Sequence, residues 1–257
     1  MEEKFYFKSG GLKLCGILTK PAASTNKCVV LCHGMTVTKE EDGIFTELAE
    51  KIAKAGLAAF RFDFSGHGES EGDSVDMTVA GEKEDLESAI RFLQSKGYKT
   101  FGILGASFGG GVVSLFAAEH RAIAKALVLW NPLVDYHSLL EPKLPWPLSN
   151  FAKKAMQQLE KQGFIEVGPR RFKLGKPLFD ELRKLQPWKG LQKLKIPILF
   201  VHGDKDMYVP YEDSVKYSKL LKAELKTIRK AGHGFHDNKK VAEEADRATI
   251  EFFLKNL

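Results

Sequence analysis

Cysteine is scarce in this chain: three thiols, Cys15, Cys28 and Cys32, stand among 257 residues. An odd, sparse set argues against a disulfide scaffold and fits a reducing compartment. No Cys-x-x-Cys or Cys/His pattern occurs, so no metal site and no metal ion are expected. Long apolar runs are missing as well, which excludes a bilayer-spanning helix. The opening Met1-Glu2-Glu3-Lys4 lacks the apolar core of a signal peptide, so a cytoplasmic location is the expectation. The net charge of +6 comes from 39 basic and 33 acidic residues. The basic residues are dispersed, with no run and no interleaved aromatics, which argues against nucleic-acid binding. No internal repeat or low-complexity tract appears. Hydrophobic content of 44% and charged content of 28% are those of an ordinary globular protein.

What is present is a rhythm of apolar runs and helical stripes, the pattern of a mostly parallel sheet covered by helices on both faces, an α/β fold. Phe5 to Lys8 and Lys13 to Thr19 read as a hairpin about Ser9-Gly10-Gly11. Cys28 to Cys32 is a buried strand with Cys28 and Cys32 on one face. A helix is expected over Ile44 to Ala55, with Asp42 as N-cap and Gly56 as stop, followed by a strand over Leu57 to Phe62. Leu86, Ala89, Ile90 and Leu93 mark another helical stripe. Further strands fall at Phe101 to Leu104, Ala126 to Trp130, Ile198 to Val201 and Leu225 to Ile228, and a last helix at Ala242 to Leu254. Residues 135–194 break the rhythm. Pro142, Pro145, Pro147, Pro169, Pro177 and Pro187 punctuate them, Phe151 to Gln162 has helical character, and two short alternating runs flank Gly168-Pro169 as a small hairpin. So long an excursion is more than a connection. It is expected to be a cap insertion in a core made of residues 1–134 and 195–257.

Two segments fit Gly-x-Ser-x-Gly. In Gly68-Glu69-Ser70-Glu71-Gly72 the flanking carboxylates oppose ionisation of the serine, and no apolar helix follows. Gly105-Ala106-Ser107-Phe108-Gly109 stands between a buried strand and the apolar helix that begins Gly110-Gly111-Val112-Val113. There the pattern is a nucleophile elbow, in which small residues permit a sharp turn and the serine hydroxyl projects from the sheet edge. Ser107 is therefore the candidate nucleophile.

A nucleophilic serine needs a base, and the base needs an acid to orient it. Of the seven histidines, His233 lies in a glycine-flanked loop after the last strand, Ala231-Gly232-His233-Gly234-Phe235, and is the candidate base, with His236 as its competitor. His202 ends a strand and reads as structural. The loop His202-Gly203-Asp204-Lys205-Asp206 offers two acids: Asp204 is placed to cap the turn, and Asp206 reaches further and is preferred, with Asp135 as an outside candidate. Two N–H donors for an oxyanion hole are expected from Phe108, next to the nucleophile, and from Met35, in the His33-Gly34-Met35 loop after an early strand.

Taken together, Leu31-Cys32-His33-Gly34, Asp63-Phe64-Ser65-Gly66-His67-Gly68-Glu69-Ser70, the Ser107 elbow, His202-Gly203-Asp204-Lys205-Asp206 and Gly232-His233-Gly234-Phe235 resemble the α/β-hydrolase superfamily over nearly the whole chain. The resemblance supports Asp206 as the acid, since it matches the acid position of the H-G-x-x-D-x-x-V-P pattern. Within the superfamily the chain looks most like bacterial cinnamoyl (feruloyl) esterases, whose insertion carries a short hairpin similar to Gly163-Phe164-Ile165-Glu166-Val167 and Phe172-Lys173-Leu174-Gly175. The resemblance implies a carboxylic-ester hydrolase that forms an acyl-enzyme on a small-molecule ester, needs no cofactor, and leaves a homodimer open. Asp135 and Tyr136 are candidate counterparts of the ring-hydroxyl ligands of those esterases. Trp146, Phe164, Phe172 and Trp188 either line the acyl pocket or hold the insertion together. Monoacylglycerol lipases and related carboxylesterases share the same core motifs. A peptidase of this fold needs acidic residues in the cap to grip an amine, and Glu141 and Glu166 are too few and too scattered. A non-catalytic binding protein of this fold is disfavoured by the intact serine, acid and base.

Overall fold

A computed structural model describes residues 1–257. Its ten strands are β1 (Glu2–Ser9), β2 (Leu12–Thr19), β3 (Lys27–Cys32), β4 (Ala58–Phe62), β5 (Thr100–Ala106), β6 (Ala124–Trp130), β7 (Phe164–Val167), β8 (Phe172–Gly175), β9 (Ile198–Gly203) and β10 (Glu224–Ile228). Eight of them form one sheet in the order β1-β2-β4-β3-β5-β6-β9-β10, and β7 pairs with β8 apart from it. The β1–β2 hairpin joins β4 antiparallel, and every other pairing in the large sheet is parallel.

Alternation along the strands builds two cores. On β3, Cys28, Val30 and Cys32 enter the larger apolar cluster and Val29 and Leu31 the smaller one. Both faces are thus buried, as the continuous apolar reading of this strand requires. The helices that cover the sheet are α1 (Ile44–Lys54), α2 (Val79–Ser95), α3 (Ser107–Glu119), α9 (Tyr211–Leu221) and α10 (Lys239–Asn256). The N-cap of α1 is Gly43 rather than Asp42, which lies inside a preceding single 3-10 turn with φ 51°. The 3-10 turn (Glu41–Gly43) satisfies this helix start through backbone geometry, so no side-chain cap is used.

Residues 135–194 contain no strand of the large sheet. They fold as α4 (His137–Leu140), α5 (Pro145–Phe151), α6 (Lys153–Gln162), the β7–β8 hairpin, α7 (Lys176–Leu182) and α8 (Pro187–Leu191). The helical stretch read as Phe151 to Gln162 is broken at Ala152, whose extended ψ of 169° ends α5 and starts α6. The segment is anchored where β8 ends and on the helix that follows it. Gly175 on β8 lies so close to the carbonyl of Val75 that a Cβ there would stand 2.0 Å from that oxygen. Glu181 on α7 accepts from the Val79 N–H at the start of α2 (2.5 Å).

Candidate active site

The strand β5 runs straight into α3, and Ser107 stands at the junction with φ 50°. A left-handed backbone is rare for a residue with a Cβ and costs on the order of 1–3 kcal/mol, so the surrounding structure must enforce it. Packing does so here. A Cβ on Gly105 would fall 2.6 Å from the Gly109 carbonyl oxygen, and one on Gly109 would fall 2.4 Å from that of His33. The small residues of the motif therefore let α3 press against β3 and β5, and the turn has no room to relax. Phe108 is the second residue of α3, where helix N–H groups have no intrahelical carbonyl to bond.

The loop after β3 faces this junction. His33 is buried and pins it from both ring nitrogens: Nε2 accepts from the Phe64 N–H (3.1 Å) and Nδ1 donates to the Gly34 carbonyl (2.8 Å). Burial lowers its pKa to about 4, so it is a neutral strut. Further along, Lys39 is buried between Asp63 (2.8 Å) and Glu69 (2.9 Å), and Arg61 holds Glu40 at 2.9 Å. Cys15, Asp63 and Glu69 come together as three metal-ligating types, but the Lys39 ammonium already supplies the positive charge among them. Ser70, the rejected serine, donates to the Asp63 carbonyl (2.7 Å) and accepts from the Cys15 N–H (2.9 Å), a loop-bracing role.

Beyond β9 the loop delivers Asp206, whose side chain is fully buried and fully used. Its Oδ1 accepts from the N–H groups of Tyr208 (2.7 Å) and Val209 (3.0 Å). Its Oδ2 accepts from His233 Nδ1 (2.7 Å) and His202 Nε2 (3.1 Å). His202 is itself bonded through Nδ1 to Ser214 Oγ (2.7 Å). Although desolvation opposes the charge, the two histidines more than offset it and hold the Asp206 carboxyl far below the usual carboxylate range. For His233, burial acts to lower the pKa, but the Asp206 charge and hydrogen bond prevail and raise it above 6.5. Asp204 instead accepts from the Lys230 N–H (2.6 Å), and it is His233 that bonds to Asp206.

His233 and Ser107 line one pocket of about 270 Å³, together with Gly34, Met35 and Phe108. Its apolar wall includes Leu133, Leu139, Trp146, Val167 and Val209, and Gly168, Pro169 and Arg170 at the hairpin tip also line it. Tyr208 stacks on His233 (ring centroids 4.7 Å apart, planes at 12°) and on Trp146 (4.9 Å, 22°), which carries the insertion onto the imidazole.

Of the residues expected in the substrate pocket, only Trp146 lines it. Asp135 accepts from the Tyr217 hydroxyl and the His137 N–H, contacts that turn it toward α9. Tyr136 is fully buried behind Phe108, its ring stacked 5.8 Å away. Phe164 lies outside the pocket with Lys173 over its ring (5.2 Å). Phe172 packs tilted against His67 (ring centroids 4.7 Å apart, planes at 34°) and lines a shallow neighbouring groove. Trp188 packs on Tyr217 (5.3 Å). The alternating pattern of the hairpin was legible, but which of its faces meets the pocket depends on tertiary packing.

Sequence reasoning missed Glu41. It is buried, lines the pocket, and accepts from the Gly34 N–H through Oε2 (2.8 Å). Burial raises its pKa to about 7 against the opposing pull of that N–H and of His233. The only signal was the charged run Lys39-Glu40-Glu41-Asp42 directly after the proposed oxyanion loop, which reads as a solvated surface.

The family model described as serine aminopeptidase, S33 (Hydrolase_4) matches residues 23–166, more than half of the chain. A monoacylglycerol lipase of Mycolicibacterium smegmatis is 26% identical over 232 residues, covering 80% of this chain and 79% of that protein. The monoglyceride lipase of Homo sapiens is 23% identical over 248 residues, covering 84% and 77%. Among solved structures, Est1E of Butyrivibrio proteoclasticus with bound ferulic acid superposes with a TM-score of 0.83 at 27% identity, covering 98% of both chains. No helix of the chain is long and apolar enough to cross a membrane. The chain belongs to the serine aminopeptidase, S33, family of hydrolases, and its fold is that of the α/β hydrolases.

Proposed function

We propose that the protein is a serine carboxylic-ester hydrolase with Ser107, His233 and Asp206 as its catalytic triad. The observation that carries this reading is the strained Ser107 at a strand–helix junction, sharing a pocket with an imidazole whose Nδ1 lies 2.7 Å from a buried carboxylate. The Nδ1–H to Asp206 bond leaves His233 Nε2 as the basic nitrogen. Ser107 Oγ attacks the ester carbonyl carbon and passes its proton to Nε2. The negative charge on the carbonyl oxygen is met by the N–H groups of Met35 and Phe108. The tetrahedral intermediate collapses, the alkoxide leaves with the proton from His233, and an acyl-serine remains. Water then attacks the acyl carbon, again giving a proton to His233, and the acid departs as Ser107 is restored.

The substrate is a compact, small or aromatic-acyl ester, and residues 135–194 act as a cap that sets selectivity. A pocket of about 270 Å³ falls just below the usual span of small-molecule sites, roughly 300 to 1,000 Å³. The Trp146 ring offers a flat apolar surface, and the likeness to Est1E, which was solved with ferulic acid bound, points the same way. The M. smegmatis and human relatives, named as monoacylglycerol and monoglyceride lipases, define the competing acyl class. A fluorophosphonate probe should label wild type and leave Ser107→Ala unlabelled. A panel of methyl ferulate, short-chain p-nitrophenyl esters and monoacylglycerols should then rank compact acyl groups first. No labelling refutes the serine mechanism, and a preference for long-chain monoacylglycerol refutes the compact-acyl reading.

A further inference from the structure

Glu41 has one oxygen engaged and one free. Oε2 is fixed by the Gly34 N–H at 2.8 Å, and Oε1 forms no hydrogen bond within the protein. The residue is 9% exposed and lines the pocket that contains Ser107. It also has no cation. Asp42 beside it is paired with Arg170 (3.2 Å) and Asp206 with His233 (2.7 Å), but no lysine, arginine or histidine lies within ion-pair distance of Glu41. A buried carboxylate is stable only when it is hydrogen-bonded, paired or protonated, and the pKa of about 7 records that tension. Its distance from the reacting centre is short. A single point, where a Gly34 Cβ would lie, is 3.1 Å from Ser107 Cβ and 3.5 Å from Glu41 Oε1.

We propose that Glu41 is a specificity-determining residue, whose free Oε1 accepts a hydrogen bond from a hydroxyl or ammonium group carried by the substrate within a few bonds of the scissile carbonyl. This rests on the ester-hydrolase reading of the same pocket. Because Oε2 is already anchored on the oxyanion loop, Oε1 is pre-positioned, and little side-chain entropy is lost when the substrate binds. Esters that lack a donor leave Oε1 unsatisfied in a pocket they have emptied of water, which penalises them.

Kinetics in a pH-stat at pH 8 test this with matched esters. Ethyl butanoate is compared with its 3-hydroxy, 3-amino and 3-methoxy derivatives, and propyl butanoate with 2-hydroxyethyl butanoate. At least one donor-bearing ester should exceed its donor-free counterpart by roughly tenfold or more in kcat/KM. In Glu41→Gln, whose amide can keep the Gly34 bond but turns an N–H₂ toward the substrate, the gain of the amine should collapse toward one and the hydroxy ester should lose its advantage over the 3-methoxy ester, because an N–H₂ donates equally to either oxygen. In Glu41→Asp, which withdraws the carboxylate, the ratio should also fall, and this variant decides if Glu41→Gln does not fold. A larger gain for the amine marks ion pairing and a larger gain for the alcohol marks a hydrogen bond to the carboxylate without ion pairing; either supports the assignment. The proposal is overturned if no donor-bearing ester gains in wild type, or if the gain persists in the folded variants. Fluorophosphonate labelling and p-nitrophenyl acetate hydrolysis on the same wild-type preparation separate the two levels. If both are absent the ester-hydrolase reading fails, and if both are present without a donor preference only the role of Glu41 fails.

Discussion

Replacing Asp206 by asparagine should cut turnover by orders of magnitude while leaving the fold standing, and the hydrogen bonds explain both outcomes. Oδ1 receives two backbone N–H groups, which the asparagine carbonyl can still receive, and Oδ2 receives two imidazoles. The substituted N–H₂ has two hydrogens for those two rings. His202 adapts by moving its proton to Nδ1, where the Ser214 hydroxyl can rotate to accept it. His233 adapts in the same way by moving its proton to Nε2, and in the proposed mechanism that is ruinous, because Nε2 is then no longer free to take the serine proton. The expected loss in kcat is about 10³–10⁴-fold, or roughly 4–5.5 kcal/mol of barrier at about 1.36 kcal/mol per decade. Asp206→Ala is the structural contrast: it orphans the two backbone donors and both imidazoles, and should lower Tm markedly where Asp206→Asn does not. Asp204→Asn keeps an acceptor for the Lys230 N–H and should retain near-normal turnover. Steady-state kinetics on a p-nitrophenyl ester, paired with thermal melts of each variant, make the comparison. The reasoning is refuted if Asp206→Asn stays within tenfold of wild type, or if Asp204→Asn is equally damaging.

Ser107→Ala should lose several orders of magnitude in ester turnover, and Ser70→Ala should stay within a few-fold, since Ser70 braces a loop through Asp63 and Cys15; burst kinetics with the purified variants check this. The base must be neutral to accept the serine proton, and the His233 pKa is raised above 6.5, so kcat/KM should fall as pH drops through a midpoint above 6.5. That midpoint should move down in the residual activity of Asp206→Asn, and a profile flat from pH 5 to 8 would contradict the assignment. Trp146→Ala should change the ranking of aryl against short-chain esters, while Phe172→Ala, which removes a ring packed against His67 outside the pocket, should leave the ranking unchanged. Equal effects of the two substitutions on that panel would mean that the insertion acts through stability alone.

Parts of the molecule that depend on local pattern were readable from the chain. The apolar run Cys28 to Cys32 required a strand covered on both faces, and the two cores divide its residues in alternation. The glycines around Ser107 announced a crowded turn, and the crowding is measurable as backbone oxygens at 2.4 and 2.6 Å from where side chains would begin. The preference for Asp206 over Asp204 also matches the observed contacts with His233. Illegible features depend on distant partners. Asp42 has the chemistry of an N-cap, yet a left-handed 3-10 turn places Gly43 there. Asp135 and Tyr136 have the chemistry of ring-hydroxyl ligands, yet Tyr217 and Phe108 claim them. Glu41 looked like surface charge because nothing in its neighbours along the chain reveals that Gly34 folds back over it.

The stacked rings also bear on how the insertion communicates with the chemistry. Trp146 belongs to α5, Tyr208 to the loop that presents Asp206, and His233 to the loop after β10, so three separate segments meet in one column. The Tyr208 N–H is bonded to Asp206 Oδ1 while its ring covers the imidazole bonded to Oδ2, and the Trp146 N–H bonds to the Met207 carbonyl (3.3 Å). A shift of α5 would therefore load the same short loop that holds Asp206 and covers one face of His233. Trimming Tyr208 to leucine keeps its backbone bond and removes the stack. If the column positions the imidazole, this variant should lower kcat with small, activated esters that never reach Trp146. If the column is packing alone, only Tm and the larger esters should respond. The small-ester kcat thus separates a device that holds the base from a wall that happens to touch it.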